Sequence, residues 1–483
     1  MKLLKKLAAV LFYSAVPLFI PLLYSIITGD SGWIPIGITM AILMFPAVPE
    51  LILGLLTNIT NLIQALVQEN RPFNYAKILN LAEMKKEVET LTLGEILALT
   101  AIAWILVPLL TIFPYIYYGV PVFDAVFESM SAWTSTGLSA LPTVSVLPSS
   151  VILFRSTAQW VGGLGIVILI LIVFRGKEAL GFLKAEGRAM PDVGIGETVR
   201  LTFDIYLVLT ILGIVMLLAL DMDFFNSINL TFSGLSNGGF YPFDSYPLTD
   251  AQQLALAALM FAGATSFLFY KYISEAKFKK AIFDEEFLTY LIVTSLAICT
   301  MIWIGKEEIL NATLNTISAI ACGGFAIGNL AALHDFAKYL LILLMLSGAM
   351  IGSTTGGVKL WRILAILKAI VTQIKAAFLP KGSVQITKIN NMPINDRAMT
   401  ESATFMFTYL LIFLAAGGAF IAANYGTEDA LFLVASAMGN VGLSTVYIPA
   451  VGVAGKGLLI ILMYLGRIEV FPSLVLIGYI LRR

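Results

Sequence analysis

The feature that most constrains this chain is a series of apolar stretches, each close to 20 residues long and separated by short polar segments. About 20 apolar residues are needed for a helix to cross the hydrocarbon core of a bilayer. Charged residues make up 12% of the 483 residues and hydrophobic residues 59%, whereas soluble proteins carry about 25% charged residues. The sequence therefore predicts an all-α polytopic membrane protein.

The apolar stretches predict ten full spans. Two come first, at 7–28 and 33–56, and the other eight form four pairs. Between the members of each pair lies a segment that is too short and too polar to cross the bilayer. The predicted units are two N-terminal transmembrane helices (1–66), a cytosolic connector (67–92) and four repeats at 93–175, 200–273, 286–371 and 400–483.

Lys and Arg are concentrated on one side of these spans, which indicates the cytoplasmic side. They lie at both termini and in the connectors after the first three pairs, whereas the segments between pair members are mostly acidic. The bias predicts cytoplasmic termini and the same orientation for all four pairs. Thirty basic residues balance thirty acidic ones, so net charge identifies no partner, and no nucleic-acid partner is expected.

A short polar strip recurs once in each pair. The four copies read MSAWTSTGL (130–138), FSGLSNGGF (232–240), ISAIACGGF (317–325) and ASAMGNVGL (435–443). In each, a serine is followed by alanine or glycine, and a further glycine comes six residues after the serine. The serines are Ser131, Ser233, Ser318 and Ser436, and the later glycines are Gly137, Gly239, Gly324 and Gly442. Four copies in the same slot indicate an internal repeat.

About ten residues with helical spacing of aliphatic side chains precede each strip. Such a segment makes about 15 Å of helix, half the thickness of the bilayer core. Each repeat is therefore predicted to contain a span, a half-helix, an extended strip and a return span.

Non-helical backbone is tolerated at membrane depth only inside protein or beside a water-filled cavity. Four strips of one orientation can therefore converge on one axis, where their carbonyls replace the hydration shell of a cation. The C-terminal ends of the half-helices would favour positive charge at the same place. The alternative, stronger for any single strip, is that Ser and Gly merely let helices pack closely.

These residues resemble the Trk/Ktr/HKT superfamily of potassium transport subunits over about 90–483. Three more segments carry the resemblance: QWVGGLGIVIL (159–169), GSTTGGVKLWRIL (352–364) and GRIEVF (466–471). The two N-terminal spans make the chain similar to the Trk-type membrane subunit. The resemblance implies four repeats around one pseudo-fourfold pore, K⁺ as the transported ion, and no cofactor in this chain. It also implies a cell-membrane homodimer with a cytosolic nucleotide-binding regulatory subunit of the RCK type, sensing NAD, ATP or ADP.

The resemblance further implies which residues form the K⁺ filter. They are Gly137, Gly239, Gly324 and Gly442, the preceding Thr136, Gly238, Gly323 and Val441, and before those Ser135, Asn237, Cys322 and Asn440. Plant relatives selective for Na⁺ carry serine at the first glycine position, so Gly137 favours K⁺. Repeat 3 departs from the family pattern because Ala321 and Cys322 replace the usual hydroxyl residues.

The segment 337–371 is too long for one span, since about 35 helical residues would measure roughly 52 Å against a core of about 30 Å. A break is predicted at GAMIGSTTGG (348–357), which resembles the family's gating loop; the alternative is a simple kink. The implied gate residues are Gly348, Gly352, Ser353, Thr354, Thr355, Gly356, Gly357, Lys359 and Arg467. Arg467 is expected to face the pore or to hold the loop through its carbonyls, the alternative being an ion pair with Glu469.

Charges near the outer mouth support two further predictions. Glu128 and Arg155 are expected to form a structural ion pair. The outer acids either concentrate cations or simply cap helices and face solvent, and they are Asp221, Asp223, Asp244 and Asp250. On the cytosolic side, the polar segments 185–194 and 376–400 are predicted to meet a partner.

Three other functional classes are alternatives to conduction of K⁺. One is a less selective or Na⁺- or H⁺-coupled transporter, and another is an unrelated secondary transporter built on inverted repeats, which would need an odd number of spans per repeat. An intramembrane enzyme is disfavoured because the sequence has no H-E-x-x-H, no G-x-S-x-G and no paired intramembrane Asp. Cys299, Cys322 and His334 have no metal-ligand spacing, so neither zinc nor haem is expected.

Overall fold

A computed structural model describes residues 2–49, 92–165, 195–244, 248–380 and 385–481. The predicted connector 67–92 lies outside these residues except for Thr92, as do positions 50–56 of the second predicted span and the predicted partner segment 185–194. Most of the described residues are helical. Its one sheet is a two-stranded antiparallel hairpin, Lys388–Ile389 with Met392–Pro393, inside the predicted partner segment 376–400.

The two N-terminal spans form a helical pair that docks on repeat 1. The first runs through Lys2–Ala15, a 3₁₀ turn at Val16–Leu18 and Phe19–Thr28, and the second begins with Trp33–Met44. In the turn between them, the Asp30 carboxylate accepts hydrogen bonds from Ser150 N (2.9 Å) and Ser150 Oγ (2.7 Å). Burial raises the pKa of Asp30, but its hydrogen bonds outweigh burial and leave the pKa below its ordinary value.

Each repeat begins with a first helix and continues into a half-helix. The first helices are Leu93–Leu110, Ile195–Leu218, Glu285–Trp303 and Asp396–Ala422, and the half-helices are Val122–Trp133, Phe224–Leu235, Ile309–Ala321 and Thr427–Gly439. Side chains of Thr92, Asp284 and Asn395 cap three first helices by accepting backbone N–H groups that have no helical partner. The half-helices contain 12 or 13 residues, which is about 18–20 Å of helix.

A return helix follows each strip. The four are Ser149–Leu164, Asp250–Ala264, Asp335–Ser347 and Val453–Arg467. The last three are followed by Phe267–Ser274, Leu360–Ala377 and Phe471–Leu481. The chain bends by 92° in repeat 2 and by 105° in repeat 4, although the sequence predicted an interruption only in repeat 3. In repeat 2 the bend leaves the Phe267 N–H without a helical acceptor, and it donates instead to Gly352 O of repeat 3 at 3.0 Å. A tertiary contact thus satisfies the backbone group that the break frees.

Fewer described helices qualify as unbroken spans than the ten predicted. Five are long and apolar enough to cross a membrane, or up to seven if each bent pair is one span. The count falls short because the return segments of repeats 2, 3 and 4 bend or break, and because parts of the second N-terminal span and of the return span of repeat 1 lie outside the described residues. Large apolar side chains on the outer helix faces are exposed, such as Leu296 and Trp303. Exposure of such side chains is unfavourable in water, whereas lipid tails are as apolar as the side chains themselves, so their exposure to lipid carries no hydrophobic cost.

The repeats are arranged in a closed ring. The half-helices of repeats 2, 3 and 4 each pack against the return helix of the preceding repeat, and the half-helix of repeat 1 packs against the return helix of repeat 4. One apolar core joins repeats 2–4 and a second joins repeat 1 to the N-terminal helices. The half-helices lie at the centre, because the C-terminal part of each is almost entirely buried.

Candidate functional site

The four strips share one backbone conformation. The residue two positions before each glycine is left-handed: Ser135, Asn237, Cys322 and Asn440 have φ between 52° and 58°. The next residue then donates its N–H to the carbonyl of the repeat serine, at 2.7 to 2.9 Å. These donors are Thr136, Gly238, Gly323 and Val441, and the acceptors are Ser131, Ser233, Ser318 and Ser436. The bond closes the half-helix and turns the chain into the strip.

The four glycines lie together around one axis. A Cβ placed on Gly137 would overlap Gly238 O, and one on Gly442 would overlap Thr136 O. A Cβ on Gly239 would lie 2.6 Å from Gly324 Cα, and one on Gly324 would lie 2.6 Å from Val441 O. Each contact joins neighbouring strips, and the contact of Gly442 with Thr136 O joins repeat 4 back to repeat 1. The glycines have φ between 74° and 95°, so both conformation and crowding require residues without a Cβ.

The chemistry at this axis is that of backbone oxygen and helix ends. The half-helices end at Trp133, Leu235, Ala321 and Gly439, which lie inside the strips. The first four or five residues of each strip are therefore helical, and only the remainder is extended, whereas the sequence predicted an extended strip. The C-terminal ends of the half-helices direct negative partial charge towards the axis. Among the described residues, no group of three or more His, Cys, Asp and Glu could hold a metal ion. Backbone oxygens of Thr136, Gly238 and Val441 lie against the glycines of the neighbouring strips, and carbonyl oxygen is a type of ligand that suits an alkali ion.

Side chains tie the strips to the return helices of their own repeats. Ser135 Oγ donates to Gln159 O (2.9 Å), and Asn440 Nδ2 donates to Met463 O (2.8 Å). Oriented in the same way, the Asn237 amide donates to Met260 O at 3.1 Å. Three of the left-handed residues thus have a common role, which is to fix the start of the strip.

Gln159 is a buried residue at this site that sequence reasoning did not single out. It is the first residue of QWVGGLGIVIL (159–169), and its side chain reaches the neighbouring repeat. Its amide nitrogen donates to Gly238 O, and its amide oxygen accepts from Ser233 Oγ (2.6 Å) and Phe240 N (3.3 Å). The signal in the sequence was a polar residue where the corresponding positions of the other repeats are apolar.

The return helix of repeat 3 breaks after Ser347, and the chain crosses the end of the glycine axis as a loop before Leu360. Thr354 Oγ1 lies 2.8 Å from the Asn237 amide, and Thr354 N donates to Gly263 O at 3.1 Å. A Cβ on Gly356 would overlap Gly439 O. The loop therefore contacts the C-terminal end of the repeat 4 half-helix and the strip and return helix of repeat 2.

Arg467 holds the loop against repeat 1. It is 7% exposed, and its guanidinium donates to Thr354 O (3.0 Å), Gly162 O and Gly163 O (3.1 Å). The alternative partner Glu469 instead forms an ion pair with Arg362, at 2.5 Å. Three roles were expected for Arg467: to face the pore, to hold the loop through its carbonyls, or to pair with Glu469. These contacts match the second. Lys359 is also buried and donates to Thr355 O and to Thr355 Oγ1 (2.9 Å).

Glu286 is the second residue that the sequence analysis did not identify. It lies at the start of the first helix of repeat 3, with 5% of its surface exposed. One of its carboxylate oxygens, Oε1, accepts from Ile351 N (2.7 Å) in the loop and from Trp361 N (3.1 Å) beyond it. Glutamate is common near a helix N-terminus, where it interacts favourably with the helix dipole. Its position in the sequence therefore did not indicate a contact with the loop.

The predicted ion pair between Glu128 and Arg155 is confirmed. Arg155 Nε donates to Glu128 Oε1 at 3.0 Å, and both side chains are almost completely buried. Glu128 also accepts from Ser139 Oγ and Ala140 N, which follow the first strip. The pair therefore fixes the exit of that strip. Among the outer acids, Asp223 caps its half-helix by accepting from Asn226 N at 3.0 Å, as the capping alternative expects.

We expect Glu128→Gln to lower the free energy of unfolding by about 3 kcal/mol, because it leaves the buried Arg155 charge without its counter-ion. The measurement is the thermal melting of detergent-solubilised protein. Glu401→Gln, which breaks an ion pair between mostly exposed side chains, is the matched control and is expected to leave melting unchanged. Equal melting of the two variants would contradict a structural role for the buried pair.

Comparison with known proteins agrees with this architecture. A family model described as TrkH, a cation transport protein, matches residues 98–298 and 285–481. This chain belongs to the TrkH family of cation transport proteins. The superfamily resemblance predicted from sequence is thereby confirmed, and so is the prediction of an all-α polytopic membrane protein.

Individual relatives cover most of the chain. An uncharacterized cation transporter of Methanocaldococcus jannaschii is 33% identical over 404 residues, which is 80% of this chain and 83% of that protein. The Trk system potassium uptake protein TrkH of Escherichia coli K12 is 27% identical over 427 residues, 81% of this chain and 86% of its own. The crystal structure of the potassium transporter TrkH from Vibrio parahaemolyticus covers 98% of both chains with a TM-score of 0.79 and 23% identity, a likeness that shows the fold.

Proposed function

We propose that this TrkH family member conducts K⁺ across the cell membrane through a filter formed by its four strips. The observation that carries the proposal is the closed ring of glycines at the C-terminal ends of four half-helices. Carbonyl oxygens around one axis can replace the hydration shell of an alkali ion, and the half-helix ends favour its charge. The potassium uptake proteins among the relatives, together with Gly137 at the first glycine position, support K⁺ as the ion.

The loop between Ser347 and Leu360 is proposed as the gate. It lies across the axis at the end where the half-helices finish, and hydrogen bonds from three sides hold it there. These hydrogen bonds of the loop with Arg467, Glu286 and repeat 2 are made by loop backbone atoms, so they do not depend on the identity of the loop side chains. Opening would require release of these bonds and movement of the loop off the axis. The proposed orientation has both termini in the cytoplasm, with the loop on the cytoplasmic side of the filter.

A homodimer with a cytosolic nucleotide-binding regulatory subunit is the proposed assembly. The cytosolic hairpin at 388–393 gives such a subunit a surface connected to the gate. Asn390 Oδ1 accepts from Glu285 N (2.8 Å), next to Glu286, and Lys368 donates to Lys388 O at 3.1 Å. A force on the hairpin would thus reach the helix that bears Glu286 and the helix that follows the loop.

Two measurements on purified protein test the proposed function. Reconstituted vesicles should take up radioactive Rb⁺, with K⁺ competing better than Na⁺. A closed gate would suppress uptake, so the second measurement is one that does not depend on an open gate. K⁺ should raise the melting temperature of the solubilised protein more than Na⁺ at the same concentration, since an ion bound only by the folded state stabilises that state. No Rb⁺ uptake together with no K⁺-specific stabilisation would overturn the proposal, whereas equal effects of Na⁺ would favour the less selective transporter.

The gate assignment predicts that Glu286→Leu raises Rb⁺ uptake severalfold. The substitution removes the acceptor for Ile351 N and Trp361 N, and a buried N–H without a partner costs about 1–3 kcal/mol, so the closed loop is destabilised. Glu401→Gln is the control, because its ion pair with Arg397 joins two mostly exposed side chains at the start of the first helix of repeat 4. Uptake by Glu286→Leu no greater than that of the control would argue against a latch at Glu286.

A further inference from the structure

The position occupied by Gln159 has an equivalent in every repeat. Counted from the filter glycines, the equivalents come 22 residues later in repeat 1 and 21 later in repeats 2–4, and they are Gln159, Met260, Met345 and Met463. The structure supports the alignment, because the carbonyls of Gln159, Met260 and Met463 each accept from the strip of their own repeat. Repeat 1 alone has a polar side chain here.

In repeats 1 and 2, the side chain at this position packs against the strip of the following repeat. A Cβ on Gly238 would overlap the Gln159 amide, and a Cβ on Gly323 would overlap Met260 Sδ. The packing is therefore shared between repeats, but the chemistry is not. Methionine makes only apolar contact with Gly323, whereas Gln159 hydrogen-bonds Gly238 O, Ser233 Oγ and Phe240 N.

We propose that Gln159 is a positioning residue for ion selection, which acts by fixing the Gly238 carbonyl of the second strip. The proposal rests on the proposed function and adds a residue outside the strips to it. A carbonyl oxygen has two lone pairs, so the bond from Gln159 leaves one for an ion while holding the oxygen in place. A smaller ion such as Na⁺ is coordinated only if the oxygens move inward. An oxygen held from behind resists that movement and so favours the larger K⁺.

The test is Gln159→Met, which installs the residue of the other three repeats with little change in volume. Reconstituted vesicles are assayed for radioactive Rb⁺ and Na⁺ uptake with the same preparation. We expect Rb⁺ uptake to persist and the ratio of Rb⁺ to Na⁺ uptake to fall about fivefold, the equivalent of one net hydrogen bond. Met260→Leu alters packing behind the third strip without removing a hydrogen bond, and it should retain the ratio of the unaltered protein.

Each result of these measurements either supports or overturns the role of Gln159. An unchanged ratio in Gln159→Met, or an equal fall in Met260→Leu, overturns the proposal, because packing alone then accounts for the effect. Should Gln159→Met not yield monodisperse protein, Ser233→Ala removes one bond that orients the Gln159 amide; it should lower the ratio to a lesser extent, and an unchanged ratio overturns the proposal. Where uptake is too small to quantify, the stabilisation by K⁺ relative to Na⁺ replaces the uptake ratio. Selective uptake by the unaltered protein with no effect of these variants would leave the proposed function standing.

Discussion

Replacement of Gly137 by alanine is expected to lower Rb⁺ uptake by about tenfold or more and to reduce the preference for K⁺ over Na⁺. The added Cβ would overlap Gly238 O, which belongs to the neighbouring strip and, as backbone, cannot rotate away like a flexible side chain. The overlap must be relieved by movement of one strip or both. Overpacking of this kind costs about 1–3 kcal/mol, and here the strain falls on the proposed coordinating oxygens.

The control for this substitution is Gly119→Ala. Gly119 has φ of +83°, close to the +91° of Gly137, but no atom lies within 4 Å of its Cβ position. Both variants therefore carry the cost of a left-handed alanine, about 1 kcal/mol, and only Gly137→Ala disturbs a neighbouring strip. Uptake is measured in vesicles with matched protein content. If both variants lose uptake to the same extent, backbone strain alone explains the loss and the filter assignment at Gly137 fails.

Replacement of Arg467 by glutamine is expected to raise Rb⁺ uptake about tenfold, the second large effect. Its guanidinium joins the Thr354 carbonyl of the loop to Gly162 and Gly163 of repeat 1. Hydrogen bonds to a charged group are worth about 1.5–3 kcal/mol each, so loss of one such bond to the loop shifts the equilibrium towards the open position by an order of magnitude.

Arg397→Gln serves as the control for loss of one positive charge, because Arg397 lies on the exposed start of the first helix of repeat 4. It is expected to leave uptake unchanged. The comparison is made with the unaltered protein in vesicles at equal K⁺ gradients. A variant at Arg467 that is stable in detergent and yet transports no faster than the unaltered protein would show that Arg467 does not restrain the gate.

Sequence reasoning predicted the features that depend on local requirements. Helices that cross a membrane need a length of apolar chain, and half-helices and strips left a gap in that pattern which recurred four times. The four glycines could be identified because one short motif recurs in the same slot of every repeat, and positive φ with close neighbours explains why those positions need glycine. A break in the third return segment followed from its length, since about 35 helical residues exceed the bilayer core, and the glycine-rich segment 348–357 gave its place.

Other features followed from contacts that the sequence does not encode locally. The bends after Ala264 and Arg467 were not predicted. Single residues that can interrupt a helix flank them, Gly263 at the first and Gly466 and Pro472 at the second, but neither break has a glycine cluster like that at 348–357. The backbone freed at the first bend finds its partner in repeat 3. The left-handed conformation of Ser135 and Cys322 was also unforeseen, since neither residue type favours it.

The sequence by itself determined the membrane class, the fourfold repeat and the glycines that meet at the axis. Only the tertiary structure decided which side chains support them. Gln159 bonds a carbonyl 79 residues away, and Glu286 accepts from a loop 65 residues away. The physical reason is that hydrophobic length and backbone conformation act within a few residues, whereas a buried polar group acquires its role from the partner that the closed ring brings to it.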